Sequence, residues 1–248
     1  MSASVALAWA SVMPQLLPYA IIDRLTVDPV WTGAPLILLE NQNAAMPQTP
    51  NGTVIFAYWN MSKQNNAGSI AITSGGGPPS FRQVPALQNQ PYVWMNNWHS
   101  NNLSVTNISP NQDTPIQIQA IGPGIPGTSP LPLPMGGDGQ QLGYGQTAIG
   151  SASPSYMQLV ITSNSSTTSI VGIIGGPPDT QGNNGYVIAV NYSRDTGPGT
   201  GTAPPEGYYA TTASNSYVMT LNWNSAVVFA ANLSSMNATP VQIILRQL

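Results

Sequence analysis

YVWMNNWHSNNLSVTNISPNQDTPIQIQAIG, residues Tyr92–Gly122, lies over YVMTLNWNSAVVFAANLSSMNATPVQIILRQ, residues Tyr217–Gln247, without a gap and at a constant offset of 125. Eleven of the 31 positions are identical: Tyr92/Tyr217, Val93/Val218, Asn97/Asn222, Trp98/Trp223, Ser100/Ser225, Asn107/Asn232, Ser109/Ser234, Thr114/Thr239, Pro115/Pro240, Gln117/Gln242 and Ile118/Ile243. Trp is a rare residue, and here it recurs inside the same Asn-Trp-x-Ser block. The chain reads as two related domains in tandem.

Working outward from that repeat, β-branched and apolar runs alternate with turn clusters. In the first half the expected strands are Pro35–Glu40, Thr53–Asn60, Ile70–Thr73, Phe81–Val84, Tyr92–Met95, Leu103–Ile108 and Pro115–Ile121. In the second they are Tyr156–Thr162, Ser169–Ile174, Tyr186–Tyr192, Tyr208–Thr212, Tyr217–Asn222, Ala226–Leu233 and Val241–Leu245. Short strands at this spacing, with turn signals between them, predict an all-β chain of two β-sandwiches, jelly-roll or Ig-like. The openings Gly52-Thr-Val-Ile and Gly185-Tyr-Val-Ile suggest matching strands upstream of the repeat. Only Ala3–Leu17 has helical composition, and Pro14 interrupts it. The expected layout is an N-terminal arm over 1–30, a first sandwich over 31–122, a Pro/Gly-rich linker over 123–154 and a second sandwich over 155–248. Asp195–Gly207 reads as a long surface loop.

Charge is scarce. Only 13 of the 248 residues, 5%, are Asp, Glu, Lys or Arg, against about 25% in an ordinary soluble domain. The five basic residues, Arg24, Lys63, Arg82, Arg194 and Arg246, are scattered. Phosphate neutralisation needs them clustered, so neither a nucleic acid nor an anionic membrane surface is the expected partner. The chain has no cysteine, which removes disulfides and thiolate chemistry. The uncharged stretch Met1–Ile22 lacks a basic leader, and Pro14, Gln15 and Pro18 weaken a membrane span. It reads as an apolar arm, packed on its own domain or on a neighbour, with a targeting segment as the alternative; its contact residues are Leu7, Trp9, Val12, Leu16, Leu17, Ile21 and Ile22.

Catalytic arrangements find little support. The single histidine, His99, sits in a turn whose repeat partner is Asn224, and no Gly-x-Ser-x-Gly elbow accompanies it. None of the eight acids occupies equivalent positions in the two repeats, as a pair of carboxylates inherited by both would. Asp179 and Asp195 flank Gly-rich loops, but no D-x-D-x-D run marks a calcium loop. Gly75-Gly-Gly-Pro-Pro and Gly175-Gly-Pro-Pro lack the Lys of a phosphate loop, and each Pro-Pro removes two backbone donors. The expectation is a non-enzyme without cofactor or metal. Eight Asn-x-Ser/Thr sequons would permit glycosylation of a secreted form without requiring it.

The candidate binding residues are therefore Trp98 and Trp223, with Asn97, Asn222 and Trp94 around them. Two readings stand. The indoles are buried plugs in a core or interface, or they are platforms for the apolar face of a sugar whose hydroxyls meet the amides. For the whole chain, the uncharged strands Tyr186–Tyr192, Tyr217–Asn222 and Ala226–Leu233 lack the charges that guard sheet edges. That favours a self-assembling structural subunit of a filament, coat or capsid, on an extracellular, cell or virion surface, with the arm docked on a neighbour. The alternative is a tandem lectin for glycans. A pore-former is weaker, since no amphipathic membrane hairpin stands out.

Overall fold

In the computed structural model, the residues described are 28–46, 52–64, 66–75, 77–84, 91–98, 102–110, 113–125, 127, 129–175, 185–192, 209–234 and 240–248, without the side chains of 96–98, 209 and 211. Residues 1–27 of the arm, with Leu7, Trp9, Val12, Leu16, Leu17, Ile21 and Ile22, lie outside them, as do the stretch Ala3–Leu17, His99 and the loop Asp195–Gly207, while Val30 at the arm's end bridges to Ala45 of the first sandwich.

The first half contains β1 (Leu36–Leu38), β2 (Asn43–Ala45), β3 (Gly52–Asn60), β4 (Gly68–Ser74), β5 (Ser80–Val84), β6 (Tyr92–Trp98), β7 (Leu103–Asn107) and β8 (Ile116–Ile121). The second contains β9 (Leu131–Pro132), β10 (Gln140–Leu142), β11 (Thr147–Ser151), β12 (Ser155–Ser163), β13 (Ser169–Gly175), β14 (Gly185–Val190), β15 (Tyr209–Thr211), β16 (Ser216–Trp223), β17 (Val227–Asn232) and β18 (Val241–Gln247). They form four sheets. Sheet 1 runs β2-β7-β4-β5, sheet 2 β1-β8-β3-β6, sheet 3 β15-β14-β13-β17-β11-β9 and sheet 4 β10-β18-β12-β16. Each half is thus a two-sheet sandwich, and the orders β1-β8-β3-β6 and β2-β7-β4-β5 are the Greek-key arrangement of a jelly roll. The second half repeats it as β10-β18-β12-β16 and β14-β13-β17-β11, with β15 and β9 added at the ends of sheet 3.

Register fixes which residues correspond. Ile55 pairs with Met95 and Ile121, and Gln158 pairs with Thr220 and Arg246 at the same places in the ladder. Trp98 stands opposite Gly52, as Trp223 stands opposite Ser155. The strand that matches β3 is therefore β12, and β14 matches β5. The shared Gly-x-Val-Ile openings at Gly52 and Gly185 belong to different strands of the jelly roll. Local sequence resemblance between two apolar strands carries no information about their partners, and this expectation is corrected.

The stretch 123–154 is also more than a connector. It supplies β9, β10 and β11, and β10 and β11 pair with β18 and β17 in the second sandwich. Its prolines suit extended backbone, and extended backbone is what a strand requires wherever a ladder N–H is not needed. The strands β2, β9, β10 and β11 are two to five residues long, too short for a hydrophobic period to register.

The turn after β1 recurs after β10. Leu39 N and Gly143 N donate to the side-chain oxygens of Gln42 and Gln146 at 2.9 and 2.7 Å. The left-handed position in this turn is Asn41 in one half (φ 63°) and Gly145 in the other (φ 67°). Asn tolerates that conformation. Gly145 has a second reason to lack a side chain, because a Cβ there would collide with the ring of Pro35.

The strongest match between the halves is a buried turn. Asn107 donates through Nδ2 to the carbonyls of Leu38 (3.0 Å) and Thr114 (2.9 Å), while its Oδ1 accepts from Ser109 N and Oγ. Asn232 repeats this toward Leu142 O and Ser234 N. Ser109 Oγ and Ser234 Oγ then accept from Ser69 N and Ile170 N. This turn ties β7 to β1 and β4, and β17 to β10 and β13. Asn107/Asn232 and Ser109/Ser234 are identical because each satisfies buried backbone groups that water cannot reach.

Three cores separate the four sheets. Val54, Phe56, Ile70, Val105 and Ile118 belong to the core between sheets 1 and 2. Leu159, Ile173, Trp223, Val228 and Ile243 belong to the core between sheets 3 and 4. The third core lies between the halves, where Ile55, Trp59, Val93 and Ile121 of sheet 2 meet Ile170, Ile174, Val187, Ala231 and Leu233 of sheet 3. Gly172 sits at this crossing, and a Cβ on it would fall within 3.4 Å of the methyl ends of Leu233, Ile121 and Ile55. The four layers explain two burial patterns. β3, β8 and β13 are covered on both faces; β3 and β13 read as near-continuous apolar runs, β8 buries Gln117 and Gln119 among its apolar residues, and β12 and β18 alternate because one face meets solvent.

That layering also corrects the reading of the uncharged strands. β14 runs between β13 and β15, and β17 between β13 and β11. Neither is an edge. Their lack of charge is accounted for by the core between the halves. β16, by contrast, is the terminal strand of sheet 4.

Candidate functional site

Trp223 closes β16 and is buried, with 1% of its surface exposed. Its ring belongs to the core between sheets 3 and 4. It presents no face to a sugar, and its Nε1 has no hydrogen-bond partner among the described residues. The side chains of Asn97 and Trp98 lie outside the described residues. Trp94 is half-buried against the first core, and the Arg82 guanidinium lies 4.7 Å from its ring centre. Asn222 is exposed on the outer face of sheet 4, opposite Tyr156. The five candidates therefore do not form one constellation. Trp94 and Trp223 belong to different sandwiches, and Asn222 points away from the core that holds Trp223.

Two surfaces not singled out in the sequence emerge instead. The outer face of sheet 4 carries Tyr156, Gln158, Val160 and Thr162 on β12, with Val218, Thr220 and Asn222 on β16 and Gln242, Ile244 and Arg246 on β18. Tyr156 is 59% exposed and Val218 55%. The outer face of sheet 1 carries Ser69, Ala71 and Thr73 on β4, with Phe81 and Gln83 on β5 and Ser104 and Thr106 on β7. Phe81 is 62% exposed. Among the residues just named Arg246 is the one charged group, and Asp28 and Asp138 stand at the rims, beside Asn43 of β2 and Gln242 of β18.

These faces correspond, position by position, to the two that bury each other between the halves. Ile55, Trp59, Met95 and Ile121 are replaced by Gln158, Thr162, Thr220 and Arg246. Ile170, Ile174, Ala189 and Phe229 are replaced by Ser69, Thr73, Gln83 and Ser104. Comparing the halves at each strand's own offset would have exposed this exchange, but the offsets follow only from the pairing.

A groove of about 810 Å³ opens where the halves meet, lined by Ala34, Pro35, Gly127, Ser129, Leu131, Tyr144, Gly145 and Gln146. Burial pushes the Tyr144 phenol up to about 12, so it is neutral at physiological pH. Among its lining residues there is no carboxylate, imidazole or cation to act as acid, base or electrophile. Among the described residues no three His, Cys, Asp or Glu gather as metal ligands, and no helix is long and apolar enough to cross a membrane.

No protein-family model and no curated protein matches the chain. Among solved structures it is similar to the tandem CBM22-1–CBM22-2 domains of Paenibacillus barcinonensis Xyn10C, with 7% identity over 84% of this chain and 83% of that one and a TM-score of 0.23. It is also similar to an uncharacterised protein from Burkholderia cenocepacia, with 9% identity over 90% and 84% of the two chains and a TM-score of 0.24. At TM-scores this low neither likeness bears on function.

Proposed function

We propose that this chain is a structural subunit that assembles with copies of itself, as in a coat, capsid or surface filament. Jelly rolls serve in capsid proteins, lectins and cupins alike, so the fold alone does not choose. The observation that carries the reading is at the sheet ends. β6 and β16 hold the same place in the two sandwiches, each is a terminal strand, and neither contains a charged residue over seven and eight residues. Soluble monomers guard long terminal strands with Lys, Pro or bulges, because such an edge is a template for another chain. In a subunit built to assemble, that edge is a joint. A neutral, amide-rich surface also lets copies approach without like charges to desolvate.

Sedimentation velocity and negative-stain imaging of the full chain test this. Discrete, ordered assemblies are expected. A single monomeric species across the accessible concentration range would end the proposal.

The lectin reading keeps one specific observation, the exposed Tyr156 with Asn222 opposite and Gln158 two residues along the same face. A ring flanked by amides suits a neutral glycan better than the buried Trp223 does. Binding of a neutral polysaccharide by monomeric protein, abolished in Tyr156→Ala, would favour it.

A further inference from the structure

We propose that copies of this chain stack in one direction, the outer face of sheet 4 of one copy lying on the outer face of sheet 1 of the next. The contact would repeat, between chains, the one that joins the two halves within a chain. This rests on the self-assembly reading above and adds the surface, the partner and the polarity.

The internal contact sets the geometry. Within the chain the β1-β8-β3-β6 sheet of the first jelly roll packs on the β14-β13-β17-β11 side of the second. The two surfaces are different, so the contact is heterologous, and a heterologous contact leaves one copy of each surface unused at the ends. Those unused surfaces are the outer faces of sheets 4 and 1. They have the same strand order and register as the pair already packed together. The relation that carries the first half onto the second would, applied again, bring sheet 4 onto sheet 1 of another copy.

The chemistry of the two faces fits a contact of this kind. The central strands of the two faces carry no Lys, Asp or Glu, and Arg246 is their one charge, with Asp28 at the β2 edge of one face and Asp138 beside Gln242 at the rim of the other. Scarcity of those three residues, with exposed Tyr, Phe and Arg, agrees with the composition of interfaces, whereas Ser69, Ala71 and Ser104 are types that interfaces hold less often. Tyr156 and Val218 stand out on one face, Phe81 on the other. The centre of the sheet 1 face is small: Ala71 occupies the place of Gly172, which packs closely against Ile121 and Ile55 of the facing sheet. The Ser, Thr and Gln residues that replace Ile, Trp and Phe make the contact between chains weaker than the permanent internal one, as suits subunits that must come together from solution.

The internal contact also says which residues meet. Gly185 of β14 lies against Met95 of β6. Transferred to the outer faces, this sets β5 of one copy against β16 of the other, with Phe81 and Val218 on the apposed strands.

Val218→Asp and Phe81→Asp test the proposal separately and together. Both positions are exposed, and unchanged far-UV circular dichroism and melting would establish that each variant folds. In sedimentation velocity each variant alone should lose growth by stacking. Mixed in equal amounts they should form larger species than either variant alone, because one retains the sheet 1 face and the other the sheet 4 face, and one stacking contact per pair of chains is restored. Variants that assemble as the parent does would overturn the stacking while leaving self-assembly standing. So would a mixture that grows no further than either variant alone, since the two intact faces would then fail to recognise each other. A parent protein that is monomeric, including one that binds neutral polysaccharide through Tyr156, would remove the self-assembly reading and this inference with it.

Discussion

Replacing Asn107 by Ala should be among the most damaging single changes in the first sandwich, although it removes no large apolar group. Asn107 is fully buried. Its amide makes four hydrogen bonds: Nδ2 to the carbonyls of Leu38 and Thr114, and Oδ1 from Ser109 N and Ser109 Oγ at 3.0 and 2.6 Å. At about 1 kcal/mol net for each bond, the loss is about 4 kcal/mol, with more if the stranded groups find no water. That is a large share of the roughly 5–15 kcal/mol that holds a domain together. Urea unfolding followed by tryptophan fluorescence should show a lower midpoint with an unchanged slope. Asn107→Asp sharpens the test. It keeps an acceptor toward Ser109 but sets a carboxylate oxygen against two carbonyls, so burial and repulsion raise its folded pKa. A raised folded pKa means the stability is present below the unfolded carboxylate value of about 3.9 and is lost as pH rises. The aspartate variant should therefore recover in acid relative to its behaviour at neutral pH, and the alanine variant should not. If Asn107→Ala unfolds within about 1 kcal/mol of the parent, the buried turn is not the reason both halves carry Asn and Ser here.

Three further outcomes are expected. Trp223→Ala should cost about 3–5 kcal/mol, the range for emptying a buried aromatic site, and Trp223→Phe much less, because it keeps most of the ring and removes an indole N–H that has no partner among the described residues; chemical denaturation of the two variants checks the order. Gly150→Ala should destabilise by about 1–3 kcal/mol, since the new Cβ would fall on the carbonyl oxygen of Leu133 beside β11; a melting temperature equal to the parent's would contradict this. Tyr144 is held protonated by burial, with its pKa near 12 against an ordinary 10. Its contribution to stability is thus complete below pH 10 and is lost as pH rises toward 12, which ultraviolet titration of parent and Tyr144→Phe would reveal as one late-ionising phenol.

The sequence by itself determined that the chain is all-β and double. Strand positions are local, written in β-branched runs of alternating or continuous apolar residues between turn-formers, and each of the fourteen expected strands overlaps a strand of the structure. The repeat from Tyr92 and Tyr217 onward was legible because it spans consecutive strands with one offset. Trp223 was legible as a core plug or a platform, and only its burial decided against an exposed ring. Tertiary structure alone settled the pairing order and the burial of whole faces. A jelly roll joins strands far apart in the chain, so β3 and β14 could share a Gly-x-Val-Ile opening and still belong to different places. A strand with no charge looks the same in sequence whether its second face meets another chain or another part of its own. Here β14 and β17 meet sheet 2 of the same molecule, and the faces left outward are those of sheets 1 and 4, where Ser, Thr and Gln stand in the places of Ile, Trp and Phe.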